Sequence, residues 1–470
     1  MLFLPELTLL GVSLVFFCLS LSKPNSTKIK NVAITLSALV VLVTLACLQS
    51  EGELFYQAYR VDFFSQLFKF IIALTTLIVL VFSDRLAGVA EKVQSEYYLF
   101  MFVAVLGLMM LVSSVELLAI FVSLELSSFS VYIMVPMRKN ASASGAQAEA
   151  GIKYLLFGVM ATGFMLFGMS YLFGITGSTH LSVIIEKLSL AYTQPAALVA
   201  IALVLSGFFY KLALFPFHFW VPDVYEGAAN ETTSFIAAVP KLAAVALLVR
   251  TMTLISAERE VIVNILVLCA LLSMFYGNLS ALVQKDAKRL LGFSGIAHAG
   301  FVLVGLLTLD DTGYATAIYY IIGYAFMNLA CFLVICSVSK QGGNVAIEDL
   351  TGLHKRNPLL AITLTIGLFA LAGIPPFVGF SGKFLLLLGA FKQGHLLLVV
   401  LAALNTAIAI YYYLSIVRVT FCTDSEDRGQ VASSRVNTLL SVFLIVVIIA
   451  MGVMPNKFLE ITTIAVQAVM

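Results

Sequence analysis

Long apolar stretches dominate this chain, and they constrain its fold more than any motif does. A helix needs about 20 apolar residues to cross a hydrocarbon layer roughly 30 Å thick, because each residue rises about 1.5 Å. About fourteen such stretches occur in the 470 residues. The sequence therefore predicts an all-α polytopic membrane protein with spans near 5–22, 32–49, 62–83, 97–114, 115–136, 151–174, 196–215, 231–250, 261–282, 289–308, 314–338, 358–390, 395–418 and 436–454.

The composition excludes two other classes of protein. Charged residues make up 11% of the chain, against roughly 25% in soluble globular proteins, so too few are present to cover a solvated surface. The 27 basic and 25 acidic residues leave a net charge of +2, which provides no cationic field for nucleic acid. None of the six cysteines forms a C-x-x-C pair, so we expect no disulfide framework and no iron–sulfur or zinc site.

The basic residues between the spans predict how the chain lies in the membrane. Cytoplasmic loops carry more lysine and arginine than outer loops do. Sixteen basic residues follow odd-numbered spans and six follow even-numbered spans, which places both termini on the outer side. The other five basic residues fall inside predicted spans: Lys69, Lys153, Lys211, Lys241 and Lys383.

Two of the spans are interrupted by proline and glycine. The apolar stretch 358–391 would be about 50 Å long as one helix, and residues 373–376 and 379–382 interrupt it. The stretch 196–227 is also too long for one span and breaks at Phe215-Pro216. We therefore predict that the seventh and twelfth helices are broken, although a single such break is also consistent with a simple kink.

The positions of the two breaks predict an internal symmetry. They lie five spans apart, so the broken helices run in opposite directions, as in inverted repeats that enclose an ion pathway. We predict inverted five-helix repeats from spans 4–8 and 9–13. Within a single membrane domain at 1–470, the predicted parts are peripheral helices at 1–96, the first repeat at 97–255, the second repeat at 256–420, and a last helix with a short tail at 421–470.

Four charged residues inside the predicted spans are the strongest candidates for function. An ionised side chain at the middle of a bilayer costs about 2.5 to 3.5 kcal/mol, so such residues often mark ion pathways. Glu125 and Lys241 lie near mid-depth with no opposite charge within a helical turn. Lys211 and Lys383 lie on the broken helices, where free backbone carbonyls and water can solvate an ammonium group.

Three further charges have structural alternatives. Lys153 follows Glu149 by four residues, a spacing that suits a helical ion pair as well as a proton relay. Lys69 follows Asp62 on the same helix face, and we expect a structural pair there. Glu116 lies near the outer surface, and we expect it at a solvated helix end.

Two histidines, His218 and His298, lie at membrane depth and are candidate proton relays, because histidine titrates near neutral pH. A buried histidine can equally form a structural hydrogen bond between helices, and the sequence leaves both roles open. Neither a strand–turn–helix dinucleotide motif nor a haem-ligating histidine pair accompanies them. We therefore expect this chain to bind no cofactor and no metal ion, and to move ions without redox chemistry of its own.

Four segments of the sequence resemble a known family. They are residues 214–227, 239–244, 277–300 and 371–384, in that order. Together they are similar to the antiporter-like membrane subunits of proton-pumping NADH:quinone oxidoreductase, respiratory complex I, and Pro-Asp-Val-Tyr-Glu-Gly within the first segment resembles subunit N in particular. One departure occurs at 229–232, where Ala-Asn-Glu-Thr stands and the family often has Pro-Thr-Pro.

The resemblance implies roles for the residues selected above. Glu125 and Lys211 match the family's glutamate–lysine pair. Lys241 matches its central connecting lysine, and Lys383 matches the lysine on the broken helix that connects to the outside. The resemblance also implies a polar axis that includes Lys153, His218 and His298.

The resemblance further implies a function and partners. The chain would move protons outward across a bacterial plasma (inner) membrane, driven by quinone reduction elsewhere in the complex. Partner subunits would carry FMN and iron–sulfur clusters and bind quinone, and the chain would contact lipid and other membrane subunits, including the related antiporter-like ones. The alternative is a subunit of a multisubunit sodium/proton antiporter, which belongs to a related family.

Overall fold

The structure is a computed structural model, and it describes residues 1–22, 25–83, 86–139, 145–188, 195–252, 259–422 and 428–469. The α-helices of these residues are α1 (Leu4–Ser22), α2 (Ser26–Ala46), α3 (Phe63–Phe82), α4 (Gln94–Ser113), α5 (Leu117–Met134), α6 (Ala146–Thr176), α7 (Leu181–Leu188), α8 (Pro195–Leu212), α9 (Trp220–Gly227), α10 (Asn230–Met252), α11 (Arg259–Ala281), α12 (Ala287–Leu306), α13 (Asp311–Val338), α14 (Leu353–Arg356), α15 (Pro358–Ala372), α16 (Val378–Lys392), α17 (Leu396–Cys422), α18 (Arg435–Val453) and α19 (Pro455–Gln467).

Most of these helices are membrane spans by length and composition. Over the described residues, 13 helices are long and apolar enough to cross a membrane. They correspond to the predicted spans except for the twelfth, which is divided into α15 and α16. The prediction of a polytopic helical membrane protein is confirmed.

A small β-hairpin joins α2 to α3, which the hydropathy pattern did not predict. Its antiparallel strands are β1 (Gly52–Leu54) and β2 (Tyr59–Val61). The Tyr59 hydroxyl donates a hydrogen bond of 2.6 Å to Glu6 Oε1 on α1. The hairpin therefore ties the loop between the second and third spans to the start of the first span.

Both predicted helix breaks are present. α8 ends at Leu212 and α9 begins at Trp220, while α15 ends at Ala372 and α16 begins at Val378. Gly373 terminates α15 with φ of 87°, a left-handed conformation that glycine adopts without steric cost. Each break leaves the last carbonyl groups of a helix without helical donors, so backbone oxygens become available inside the protein.

The helix that precedes each broken helix packs along both of its parts. α6 contacts α8 and α9, and α13 contacts α15 and α16. These are the sixth and eleventh spans, five apart, as two repeats would require. The inverted repeats themselves and the boundaries near 97, 256 and 421 stay predictions.

The centre of the molecule consists of α10, α12 and α13. The buried shares of their apolar windows are 100%, 94% and 89%, whereas α1, α2, α17 and α18 are only 33%, 28%, 33% and 33% buried. Large apolar side chains on the outer helices, such as Leu42 and Leu439, are exposed, as expected where a surface faces lipid or other membrane subunits. Polar groups on the central helices are therefore shielded from lipid.

Two buried ion pairs join neighbouring helices near their ends. Lys69 Nζ lies 2.8 Å from Glu6 Oε1, and Arg250 Nη2 donates to both carboxylate oxygens of Asp62 at 2.7 and 2.8 Å. The predicted pairing of Lys69 with Asp62 is therefore wrong, because α1 brings a carboxylate directly to Lys69 while Asp62 is held by the end of α10.

Glu116 also differs from expectation. It lies at the end of a helix, as predicted, but it is only 9% exposed rather than solvated. Its carboxylate accepts a hydrogen bond of 2.8 Å from the backbone N–H of Ala119 and so caps α5. The physical reason is that the first N–H groups of a helix have no helical acceptor, and this carboxylate supplies one.

Candidate functional site

The first part of the site lies between α5 and α8. Lys211, in the last turn of α8, donates hydrogen bonds of 3.0 Å to the hydroxyls of Ser127 and Ser128 on α5. Glu125 lies just before these serines, and it attracts Lys211 electrostatically across the two helices. Glu125 Oε1 has no hydrogen-bond partner among the described residues. The structure thus brings the two predicted residues together, with hydroxyl groups as the direct acceptors.

Burial makes this arrangement sensitive to protonation. Glu125 is 9% exposed and Lys211 is 3% exposed, so both charges are largely removed from solvent. Thr162 on α6 is a further polar neighbour of the carboxylate. Because the ammonium is bonded to neutral hydroxyls, it can release its proton without leaving a directly bonded carboxylate unpaired.

Lys241 lies in the middle of the fully buried helix α10. It donates to the carbonyl of Gly295 on α12 and to the hydroxyl of Tyr324 on α13, both at 3.2 Å. Its nitrogen also lies 5.0 Å from the centroid of the Tyr324 ring. Pro240 precedes it and has no N–H, which leaves the carbonyl of Ile236 without its usual helical donor. The central lysine is therefore held by neutral polar groups from two neighbouring helices, α12 and α13.

His298 lies on α12, within electrostatic range of both Lys241 and Lys383. It lies three residues after Gly295 on α12, and its ring centroid is 5.0 Å from that of Tyr324. Nδ1 is hydrogen-bonded to the hydroxyl of Tyr320 at 2.6 Å, and Nε2 is hydrogen-bonded to the hydroxyl of Tyr413 at 3.2 Å. An imidazole with partners on both nitrogens can accept a proton on one side and donate one on the other.

Lys383 folds back from α16 onto the end of α15. Its ammonium donates to the carbonyls of Leu371 and Ala372 at 3.0 and 3.2 Å. These are the last two residues of α15, so the positive charge lies at the negative end of that half-helix dipole. The expectation that free carbonyls at the break solvate this lysine is confirmed.

His218 lies in the first break and is fully buried. Its ring contacts Phe215, Phe219 and Tyr276, with centroid distances of 5.5, 4.3 and 4.3 Å. Neither ring nitrogen has a hydrogen-bond partner within the described part of the chain. His218 therefore shares no hydrogen bond with the groups above among the described residues, and its relay role stays a prediction.

Lys153 belongs to a partly exposed charge cluster. Its ammonium lies 2.7 Å from Glu149 Oε1, which confirms the predicted helical ion pair, and 2.6 Å from Asp223 Oδ2 on α9. Arg289 on α12 contacts both Asp223 and Glu226 at 2.8 Å. The cluster links α6, α9 and α12 at their ends, so Lys153 lies outside the buried set of groups.

Sequence reasoning missed several polar residues of the interior. Tyr320 and Tyr324 lie four apart on α13, a spacing that puts both on one helix face and was the signal available. The assignment of basic residues to loops between the spans places Lys288 on the cytoplasmic side, yet it is fully buried in α12. Glu231 is 4% exposed in α10, within the stretch that departs from the family pattern.

The donor groups present favour proton transfer. In the part of the chain that the structure describes, no group of three or more histidine, cysteine, aspartate or glutamate side chains is placed to hold a metal ion. The six cysteines are free. What the interior does offer is a set of lysine and histidine side chains that are each hydrogen-bonded to hydroxyl or carbonyl groups.

Comparison with known proteins identifies the family. A family model described as NADH:quinone oxidoreductase/Mrp antiporter, TM, matches residues 114–409. NADH-quinone oxidoreductase subunit N 2 from Opitutus terrae is 50% identical over 454 residues, which cover 96% of this chain and 95% of that protein. The chain belongs to the NADH-quinone oxidoreductase subunit N family. The predicted resemblance is confirmed.

Solved structures agree with this assignment. A chain of respiratory complex I from Thermus thermophilus is 29% identical, with a TM-score of 0.83, and the match covers 97% of this chain and 98% of that one. A chain of the Mrp complex from a Dietzia species is 20% identical with a TM-score of 0.87, over 99% of this chain and 98% of that one. At that lower identity the Mrp match shows a shared fold alone.

Proposed function

We propose that this chain moves protons outward across a bacterial plasma membrane as the N subunit of an NADH-quinone oxidoreductase. The observation that carries the proposal is a set of buried titratable groups located on the two broken helices and on the helices that pack between them. It consists of Glu125, Lys211, Lys241, His298 and Lys383. Each lysine in it is bonded to neutral oxygens, so each can exchange a proton.

Proton release begins at the Glu125–Lys211 pair. While Glu125 is a carboxylate, its negative charge favours the protonated form of Lys211. When the carboxylate is neutralised or moves away, the proton passes to Lys241, then through His298 to Lys383. Moving one charge against about 150 mV costs roughly 3.5 kcal/mol, and quinone reduction in partner subunits supplies this energy.

A cavity near Lys383 offers an exit. Its volume is about 150 Å³, and its polar lining includes Asp310, Thr312 and Lys392 at the ends of α13 and α16. Leu386, less than one turn beyond Lys383 on α16, also lines it. A proton that leaves Lys383 therefore has, within one helical turn, a mostly apolar cavity whose lining includes a few polar groups.

The proposal includes the partners and the orientation of the chain. Flavin mononucleotide, iron–sulfur clusters and quinone would be held by other subunits of the oxidoreductase, as the relative from Opitutus terrae is itself named as one subunit of such an enzyme. The exposed apolar faces of α1, α2, α17 and α18 suit contacts with lipid and with related antiporter-like subunits. Both chain termini would lie on the outer side, as the distribution of basic residues predicts.

Alanine substitution of the lysines tests the function. Lys211→Ala and Lys383→Ala complexes should assemble in the membrane but lose proton pumping coupled to NADH oxidation, measured in proteoliposomes with a pH-sensitive dye. Lys457→Ala is the matched control, because Lys457 is exposed near the end of the chain. A Lys→Arg change is unsuitable as a control, since arginine cannot release its proton. Full pumping by an assembled Lys383→Ala complex would contradict the proposal.

Purifying the chain together with its partner subunits distinguishes the proposed oxidoreductase from the sodium/proton antiporter. The fold alone does not, because the Mrp chain shares it. A tagged chain extracted in mild detergent should carry flavin and iron–sulfur absorbance with it and oxidise NADH. Sodium-dependent proton exchange by a complex that lacks both chromophores would instead support the antiporter subunit.

A further inference from the structure

One buried carboxylate lies outside the set of groups described above. Glu231 is in the first turn of α10 and is 4% exposed. Its Oε1 accepts a hydrogen bond of 3.3 Å from the backbone N–H of Gly88, while Oε2 has no hydrogen-bond partner among the described residues. An unsatisfied carboxylate oxygen is costly to bury, so water or a proton is needed to complete its bonding.

Glu231 lines a polar cavity of about 190 Å³. A water molecule occupies about 30 Å³ in the liquid, so the cavity has room for several. Asn230 lines the same cavity and has an unsatisfied side-chain oxygen. The remaining lining includes Ser337, Ser434 and Asn437, and Ser434 is exposed, so the cavity reaches the surface. That surface carries the loops that the basic residues assign to the cytoplasm.

Two basic residues face Glu231, and they differ in what they can do. Burial lowers the pKa of the Arg138 guanidinium and neighbouring carboxylates oppose this shift, but arginine stays charged and cannot carry a proton. Lys288 is fully buried at the start of α12, and its ammonium donates to the carbonyl of Ala228 at 2.7 Å. Lys288, like the other proton-exchanging lysines, is bonded to a neutral oxygen.

A tyrosine packs on α12 between the turn of Lys288 and the turn that contacts the central lysine. Lys288 and Gly295 lie two turns apart on α12, and the Gly295 carbonyl accepts a hydrogen bond from Lys241. The ring of Tyr225 packs against Gly292, between these two positions, 3.2 Å from where a Cβ would lie. The Tyr225 hydroxyl is buried without a hydrogen-bond partner in the described residues. It is available to connect Lys288 with Lys241.

We propose that Glu231 is the proton acceptor on the cytoplasmic side that reloads Lys241, and through it Lys211, after the stored proton has moved on to His298, an inference that rests on the proposed outward translocation. The carboxylate takes a proton from cavity water and becomes the neutral acid. It passes the proton to the neutral amine of Lys288, which becomes an ammonium as the carboxylate re-forms. Lys288 returns to the amine when the Tyr225 hydroxyl accepts its proton and gives its own to Lys241. Each transfer forms one bond to hydrogen and breaks one.

The proposed proton inlet consists of the cavity and Glu231, and substitution of Glu231 tests it in the assembled complex. Glu231→Gln should lower coupled pumping by about a hundredfold or more, as expected for the loss of a proton-transferring group. The loss should grow as the pH on the cytoplasmic side rises, because fewer protons reach the cavity, and Glu231→Asp should restore most of the pumping. Glu348→Gln is the control, because Glu348 is an exposed carboxylate among the loops assigned to the same side.

Blocking the cavity provides a second measurement that leaves the carboxylate intact. Ala432 is exposed and lines the cavity, so a bulky thiol reagent on Ala432→Cys should lower pumping to a similar extent. Gly429→Cys is the control, because Gly429 is exposed in the same loop with nothing within 4 Å of a Cβ. If Glu231→Gln does not assemble, this comparison decides the inference.

The outcomes separate the inlet from the proposed function. Loss of pumping in Lys383→Ala, together with full pumping at every pH in Glu231→Gln and in labelled Ala432→Cys, would overturn the inlet and leave the proposed function intact. Absence of rescue by Glu231→Asp, or equal inhibition of labelled Gly429→Cys, also counts against the inlet. Full pumping in Lys383→Ala would count against the proposed function itself.

Discussion

The buried cations of this chain differ in what holds them. Lys69 and Arg250 form ion pairs with carboxylates at 2.7 to 2.8 Å, so their charges are neutralised locally and the pairs join helices. Lys211, Lys241 and Lys383 donate to hydroxyl or carbonyl oxygens instead. These neutral acceptors do not require a permanent positive charge beside them. The chemical type of the partner therefore separates structural cations from those suited to proton transfer.

The Asp62–Arg250 pair gives a prediction at the residue scale. Asp62→Asn retains a side-chain oxygen for the cap of α3 but removes the charge that balances Arg250. Because the guanidinium would be left buried without a carboxylate, the free energy of unfolding should fall by about 3 kcal/mol. Thermal unfolding of the purified complex measures this change. Asp311→Asn, at an exposed aspartate, should leave the unfolding temperature unchanged, and an equal temperature for both variants would contradict the structural role.

At the scale of elements, the two helix breaks use their free backbone groups differently. At the first break the indole of Trp220 donates to the carbonyl of Tyr210 at 3.2 Å, and the N–H of Phe215 donates to Ser273 Oγ of α11 at 2.9 Å. At the second break the free carbonyls accept hydrogen bonds from Lys383. The first break is therefore completed by neutral groups, and the second is completed by a residue of the polar axis.

Two glycines with the same backbone φ provide a test of whether the shape of the second break positions Lys383. Gly373 and Gly394 both have φ of 87°, so replacing either by alanine should cost about 1 to 2 kcal/mol of left-handed strain. A Cβ at 373 would lie 3.1 Å from Lys383 Cδ, whereas a Cβ at 394 would meet nothing within 4 Å. We expect Gly373→Ala to reduce proton pumping by more than Gly394→Ala at similar thermal stability. Equal pumping by the two assembled variants would contradict the coupling of break and lysine.

At the scale of the whole molecule, burial is arranged around α10, α12 and α13. These helices carry Lys241 and His298, and the outer helices separate them from the surroundings. Shielding these helices from lipid matters because an ionised group in hydrocarbon has a high free energy. Among hydroxyl and carbonyl groups the same charge is solvated. The same outer helices leave apolar surface for lipid and for partner subunits.

Orientation is a prediction at this scale. An alkaline phosphatase domain, which becomes active only outside the cytoplasm, should be active when fused after Met470 and inactive when fused after Gly429. The basic residues Arg418, Arg428 and Arg435 flank the second position and favour the cytoplasmic side. Activity in the reverse pattern would invert the assignment of the inlet and the outlet.

The sequence by itself determined the helical membrane fold, the positions of the spans and both helix breaks. It also identified Glu125, Lys211, Lys241 and Lys383 as buried charges. These properties follow from hydropathy, proline and glycine positions and charge, which are local along the chain. The predicted solvation of Lys383 succeeded for this reason, since the carbonyls that hold it lie only eleven and twelve residues away.

Only the tertiary structure decided the partners of the buried groups. Glu6 rather than Asp62 pairs with Lys69, Tyr324 holds Lys241, and a cavity opens beside Glu231. Lys288 is buried although its sequence position suggests a loop. Each of these contacts joins helices far apart in the chain. Hydropathy and helical periodicity indicate which faces are apolar, but the packing of distant helices determines which atoms meet.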